Sequence, residues 1–151
     1  MKLLKDIAPY LAIGLLAYML DVYTAPSGLY NRCQGKYQLL LLVHHVIFMF
    51  NSLGFLSNNV TVLKLNVVSI LLTLLHWNTN GHKCFITQTL QSACGNSSPL
   101  RTPLLTVPAL FGADVTHAQS APYQPKRQPM TVYMLFALLV CLYKIHKLNS
   151  V

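Results

Sequence analysis

The sequence predicts an all-α, polytopic membrane protein with three to four transmembrane helices and a proline-rich extended connector. Of its 151 residues, 54% are hydrophobic and only 9% charged, against about 25% charged in an ordinary soluble domain. A water-facing surface cannot be built from that inventory. The apolar residues are also gathered into blocks long enough to enter or cross a bilayer, and most prolines fall between the last two blocks.

The first block, residues 7–22, carries Pro9 where a first helical turn tolerates proline and Asp6 where a helix start favours negative charge. At about 1.5 Å per residue it reaches roughly 24 Å, so it must borrow flanking residues, thin the bilayer or lie partly at the interface. Lys2 and Lys5 ahead of it resemble the start of a signal peptide. Asp21, Tyr23 and Pro26 spoil the cleavage site, and the segment reads as a retained anchor. Residues 23–36, with Pro26, Gly28 and Gly35, form a loop.

The second block, residues 37–56, is a good span interrupted by His44, His45 and Asn51. Ser57-Asn58-Asn59 makes a tight turn into the third block, residues 60–77, so the two blocks form an antiparallel hairpin. Trp77 closes the third block, where aromatic rings favour the membrane interface. A polar stretch to Gly95 follows, with a short amphipathic helix over residues 87–93. From residue 96 the prolines Pro99, Pro103, Pro108, Pro122, Pro125 and Pro129 forbid long helices. The apolar island at residues 104–111 makes this connector a surface-hugging segment rather than a free linker. The last block, residues 130–145, closes with Lys144 and Lys147, cations suited to a helix carboxyl end and to lipid headgroups. The chain thus divides into a membrane domain (1–95), the connector (96–129) and a C-terminal helix with a basic tail (130–151). With four spans, Lys2, Lys5, Lys64, Lys144 and Lys147 fall on one side, and Arg32, Lys36, Lys83, Arg101, Lys126 and Arg127 on the other. The balance favours neither orientation.

Composition also excludes functions. There is no glutamate, and the aspartates are Asp6, Asp21 and Asp114, which removes paired-carboxylate catalysis. The net charge of +8 is scattered through loops and helix ends rather than set on a basic, aromatic-interleaved face, so lipid headgroups or an acidic protein explain it better than nucleic acid. No phosphate loop, serine elbow or nucleophile with a base is present. The sequence therefore predicts no enzyme and no cofactor. Cys33, Cys84, Cys94 and Cys141 form no C-x-x-C pair.

The polar residues inside the blocks need partners, because unsatisfied polar groups are costly in lipid. Asn66, Ser69, Thr73 and His76 recur every three or four residues and share one helix face; His44, Phe48, Asn51 and Phe55 share another, with His45 about 100° away. The two stripes can meet across the hairpin. The plain reading is interhelical hydrogen bonding, at about 1 kcal/mol or less per contact. The sharper reading gives His44 or His45 with His76 to haem or a quinone, although His44 and His76 are offset by roughly 6 Å in depth. His76, His82 and Cys84 are of zinc-ligand type but lack standard spacing. A Cys84–Cys94 disulfide is the competing use of that loop. Cys141 reads as an apolar filler, and Lys64 as a snorkelling cation. Asn59-Val60-Thr61 and Asn96-Ser97-Ser98 match the glycosylation pattern, the first of them close to the membrane.

One pattern runs through this region: His44-His45, then His76-Trp77-Asn78-x-Asn80, then Cys84-x-x-Thr87 and Gly95. It resembles a family of small uncharacterised integral membrane proteins, with versions that look like proteins of large nucleocytoplasmic DNA viruses. The resemblance covers residues 39–95. That family commonly has an acidic residue shortly after the threonine, where this chain has Gln88, Thr89 and Leu90. Trp77 belongs to the motif loop, and physically Asn78, Asn80, Cys84 and Thr87 fit a capped turn, their short polar side chains bonding loop and helix-end backbone. The resemblance implies a multi-pass protein of a virion inner membrane. The expected role is a non-enzymatic structural component whose partners are the bilayer and other membrane or capsid proteins. An accessory subunit of a respiratory complex and a haem- or quinone-binding redox protein are the alternatives.

Overall fold

The computed structural model describes residues 2–24, 35–80, 85–94 and 129–150. Their regular structure is entirely helical: α1 (Lys2–Thr24), α2 (Lys36–Leu53), a 3-10 turn (Gly54–Leu56), α3 (Val60–Thr79), α4 (Phe85–Cys94) and α5 (Pro129–Asn149). α1, α2 with its 3-10 turn, α3 and α5 are each long and apolar enough to cross a membrane. Residues 96–128 of the connector, Cys33, His82 and Cys84 lie outside the described residues, as do the zinc-type cluster and the loop disulfide that depend on them, while Pro129, expected to end the connector, opens α5.

α1 resolves the short first block. The helix starts at Lys2 and runs for 23 residues, about 34 Å at 1.5 Å per residue, which spans a hydrocarbon core of about 30 Å. Pro9 and Asp6 therefore lie inside the helix instead of opening it. Pro9 costs the helix one internal hydrogen bond, which a membrane helix tolerates. Asp6 accepts a hydrogen bond from Asn59 Nδ2 at 2.5 Å, across to the start of α3.

That contact sets the topology. Asn59 is the N-cap of α3, its Oδ1 accepting from Thr61 N at 2.8 Å and Val62 N at 3.3 Å. At the same end, Lys144 Nζ of α5 donates to the carbonyls of Phe55, Leu56 and Ser57 at 3.2, 3.2 and 2.5 Å. These carbonyls belong to the end of the second span, where no further helical turn supplies donors. The start of α1, the α2–α3 turn and the end of α5 therefore share one end of the bundle, as four antiparallel crossings require.

α2 is the central helix and touches α1, α3, α4 and α5. Its main partner is α1, whereas α3 packs chiefly against α5. The predicted α2–α3 hairpin exists, but its arms are held largely by other helices. α1 lies close along α2 because Gly14 has no side chain: a Cβ there would stand 2.7 Å from Val46 Cα. Tyr10 packs edge-on against Phe50 at 5.7 Å one turn away. Between α3 and α5, Ile70, Met134 and Ala137 form a buried cluster with Phe55, Leu74, Trp77 and Leu138 against it. Trp77 is thus half-buried in the bundle as well as near a helix end.

The outer surface is apolar. Leu16 and Met19 of α1, Leu72 and Leu75 of α3, and Val132 and Leu139 of α5 are all more than half exposed. In water such a belt would drive aggregation; in hydrocarbon it is the ordinary boundary of a helical membrane protein.

Candidate functional site

The two polar stripes converge. His44, Phe48 and Asn51 of α2 face Ser69, Thr73 and His76 of α3 across a groove of about 410 Å³, completed by Trp77 of α3, Phe85 and Ile86 of α4, and Met134 of α5. This volume lies within the range of about 300–1,000 Å³ typical of small-molecule pockets. Nearer the turn the hairpin is closed, because Gly54 lets Asn66 come close: a Cβ at Gly54 would stand 2.5 Å from Asn66 Nδ2.

Hydrogen bonds fix the roles of most of these side chains. The Thr73 hydroxyl donates to Ser69 O at 2.9 Å, so its oxygen is left to accept, which it does from Asn51 Nδ2 at 3.0 Å. That arrangement settles the Asn51 amide orientation. Asn51 is 1% exposed, and its Oδ1 has no hydrogen-bond partner among the described residues. Asn66 is fully buried one layer away and does not line the groove. Its Nδ2 donates to Phe50 O at 2.7 Å and its Oδ1 accepts the Cys141 thiol at 3.2 Å, tying α2, α3 and α5 together. Cys141 is thus a weak donor inside the bundle and more than an apolar filler. Tyr133 OH adds a further tie, donating to Ser52 O at 2.5 Å.

His76 is occupied. Its Nε2 accepts the Phe85 backbone N–H at 2.9 Å, which satisfies one of the orphan donors at the start of α4. An acceptor at Nε2 places the proton of the neutral ring on Nδ1. Asn80 Nδ2 donates to Gln88 Oε1 at 2.8 Å and lies 3.5 Å from the same His76 nitrogen. Thr79 Oγ1 bonds back to Leu75 O at 3.0 Å and His76 O at 3.1 Å. The motif at the end of α3 is therefore a capped turn in which His76 and Asn80 dock α4. Asn78 lies in the last turn of α3 and Thr87 in α4; Cys84 is outside the described residues.

His45 leaves the groove altogether. It is fully buried against α1, with Nδ1 2.9 Å from Leu41 O and Nε2 3.2 Å from Asp21 Oδ2. The Tyr18 ring stands edge-on to it at 6.1 Å, and Tyr18 OH donates to Gln38 Oε1 at 2.5 Å. The polar stripes of the hairpin do not point to Asp21, because it lies on α1, outside the hairpin. A signal existed: Tyr10, Gly14, Ala17 and Asp21 follow one another at helical spacing, and all face α2.

Two chemical readings change accordingly. A bis-histidine haem finds no pair of available imidazoles in the groove, since His45 points to α1 and His76 Nε2 is bonded to Phe85; of the three histidines, His44 remains there. Asn59 Nδ2, the atom a glycan would take, is bonded to Asp6 in the folded chain. Among the described residues no three His, Cys, Asp or Glu side chains come together as a metal site.

Fold and packing define the class as all-α, with four helices of membrane-spanning length among the described residues and a small groove lined by α2, α3, α4 and α5. No family model, curated protein or solved structure matches the chain.

Proposed function

We propose that the chain is a non-enzymatic structural component of a larger membrane assembly. One observation carries the reading: the polar groups inside the bundle hold helices to one another. Asn51 binds Thr73, Asn66 binds both Phe50 O and Cys141, Tyr133 binds Ser52 O, and Lys144 caps three carbonyls. Donors committed in this way set helix positions rather than serve a substrate. The basic loops and the apolar island of the connector suit contacts with acidic surfaces and with a neighbouring protein. On the resemblance carried by His44-His45, His76-Trp77 and Cys84-x-x-Thr87, the assembly we propose is a virion inner membrane with the connector against capsid proteins.

Cross-linking mass spectrometry on native membranes or particles tests this, following Lys83, Lys126 and Lys147. Lys144 is a poor reporter because its amine is bonded inside the bundle. Reproducible links from Lys126 to a capsid or scaffold protein are the expected result. Links confined to respiratory subunits transfer the proposal to an accessory subunit, and an absence of protein links overturns it.

A second reading rests on the groove. Asn51 Oδ1 is a buried acceptor without a partner among the described residues, beside His44, Phe48 and Trp77. A membrane-borne aromatic ring bearing a hydroxyl, such as a quinol, would supply the missing donor. Solvent extraction and chromatography of the purified protein should recover such a molecule from wild type and lose it from Asn51→Leu; equal recovery from both removes this reading.

A further inference from the structure

The groove on α2 and α3 does not end at its polar part. Ile47, Ser69 and Leu72 line it, and the same three residues line a second groove of about 360 Å³. Ile7, Tyr10 and Leu11 of α1, Phe50 of α2, and Leu65 and Val68 of α3 complete the second groove. The two are therefore one crevice. Along α3 it runs from Leu65 to Trp77, about 18 Å at 1.5 Å per residue. Helix pairing explains it: α2 rests mainly on α1 and α3 mainly on α5, which leaves a cleft along the α2–α3 seam, with α4 beside one stretch and α1 beside the other.

The chemistry changes along this crevice. The stretch against α4 holds His44, Asn51, Thr73 and His76, and Asn51 Oδ1 is buried without a hydrogen-bond partner among the described residues. The stretch against α1 is hydrocarbon and aromatic apart from the Tyr10 and Ser69 hydroxyls. Val68 and Leu72 are more than half exposed there, so this stretch opens sideways to lipid. The lining of both stretches contains no lysine, arginine, aspartate or glutamate. A charged headgroup would find no partner and would be costly to bury. The polar stretch lies toward the end of α3, nearer the membrane edge, and the apolar stretch toward the middle of that helix. An amphiphile lies in a bilayer in the same order, polar end outward and chain inward.

We propose that the crevice is one binding site for an uncharged, single-tailed lipophile such as a long-chain quinol. Its hydroxyl-bearing ring lies between α2, α3 and α4, and its hydrocarbon tail lies along α3 against α1. Such a site rests on the ligand reading of the polar groove, and adds the tail, its direction and a lateral path of entry from lipid. Lipid already surrounds a free tail with hydrocarbon, so the bound tail gains from close packing against Tyr10, Phe50 and Val68 rather than from escape from water.

The test uses the full chain in phosphatidylcholine bilayers, with Trp77, its sole tryptophan and a groove residue, as the fluorescent reporter. Two probes are compared at equal concentration in the membrane: a hydroquinone carrying a decyl chain, and the same ring carrying a methyl group. Saturable quenching by both is expected, with the decyl probe about tenfold tighter, the ratio that roughly ten well-packed carbon contacts give. Val68 lines the apolar stretch alone, so Val68→Phe should remove the difference between the probes and leave the affinity of the methyl probe as in wild type. Equal affinity of the two probes for wild type, the outcome if a bilayer acyl chain holds the apolar stretch, overturns the tail site and leaves the ring site standing. A decyl preference that survives Val68→Phe does the same. Quenching that never saturates with either probe removes the ring site as well. If Val68→Phe does not fold, wild type still decides: a diazirine at the end of the decyl chain should mark Ile7, Tyr10 or Leu11, and marking spread evenly over the outer faces of α1 and α5 overturns the proposal.

Discussion

Replacing Gly14 by alanine should separate α1 from α2. The added Cβ would meet Val46 Cα at 2.7 Å and Val46 Cγ2 at 2.8 Å. Carbon atoms pack best at about 3.5–4.0 Å, so α1 must retreat by roughly 1 Å. The obstacle is partly backbone, which no rotamer change relieves. Retreat also loosens the contacts on either side, the Tyr10–Phe50 ring pair at 5.7 Å and the Asp21–His45 pair at 3.2 Å. Alanine is the better helix former by about 1 kcal/mol, while overpacking of this kind costs about 1–3 kcal/mol. The net loss should be about 1 kcal/mol, and larger for Gly14→Leu. Unfolding of the purified protein in mixed micelles by increasing sodium dodecyl sulfate, followed by circular dichroism, measures it. A Gly14→Ala protein as stable as wild type or more so would refute the close approach and the reasoning built on it.

Other substitutions probe the remaining ties. Lys144→Met leaves the carbonyls of Phe55, Leu56 and Ser57 without their charged donor; charge-assisted bonds contribute about 1.5–3 kcal/mol, and the same detergent titration should shift accordingly, with Lys144→Arg losing less. Gly54→Ala would drive a Cβ into the Asn66 amide at 2.5 Å and break its bond to Phe50 O, so amide exchange near the α2–α3 turn should accelerate. Asn59→Asp keeps an N-cap acceptor for Thr61 and Val62 but sets a second carboxylate against Asp6. It should be less stable than Asn59→Ala at neutral pH and recover in acid, a comparison that circular dichroism melts can make.

The four long helices were legible in the sequence because the bilayer imposes a length and a composition on any segment that crosses it. The tight turn at Ser57-Asn58-Asn59 and the grouping of His44 and Asn51 on one helix face and Ser69, Thr73 and His76 on another were legible too, since both are local along the chain; the capping role of Asn59 came with the structure. That grouping also explains why the stripe residues line one groove, with Asn66 placed a layer deeper. The extent of α1 was not legible, because hydropathy stops at its apolar residues while backbone hydrogen bonding continues through Lys2 and Thr24. Nor could the sequence assign helix partners. A membrane helix is apolar on nearly every face, so apolar periodicity does not say whether α2 rests on α3 or on α1. Small residues decide that, and Gly14 against Val46 and Gly54 against Asn66 act only once two helices meet. The same holds for His45 and Asp21. Their place inside apolar blocks makes each a polar group that needs a partner in lipid. Only tertiary packing decided that the partner of His45 is an acid 24 positions earlier, because the free energy of a buried charge depends on what lies within a few ångströms and not on what lies nearby along the chain.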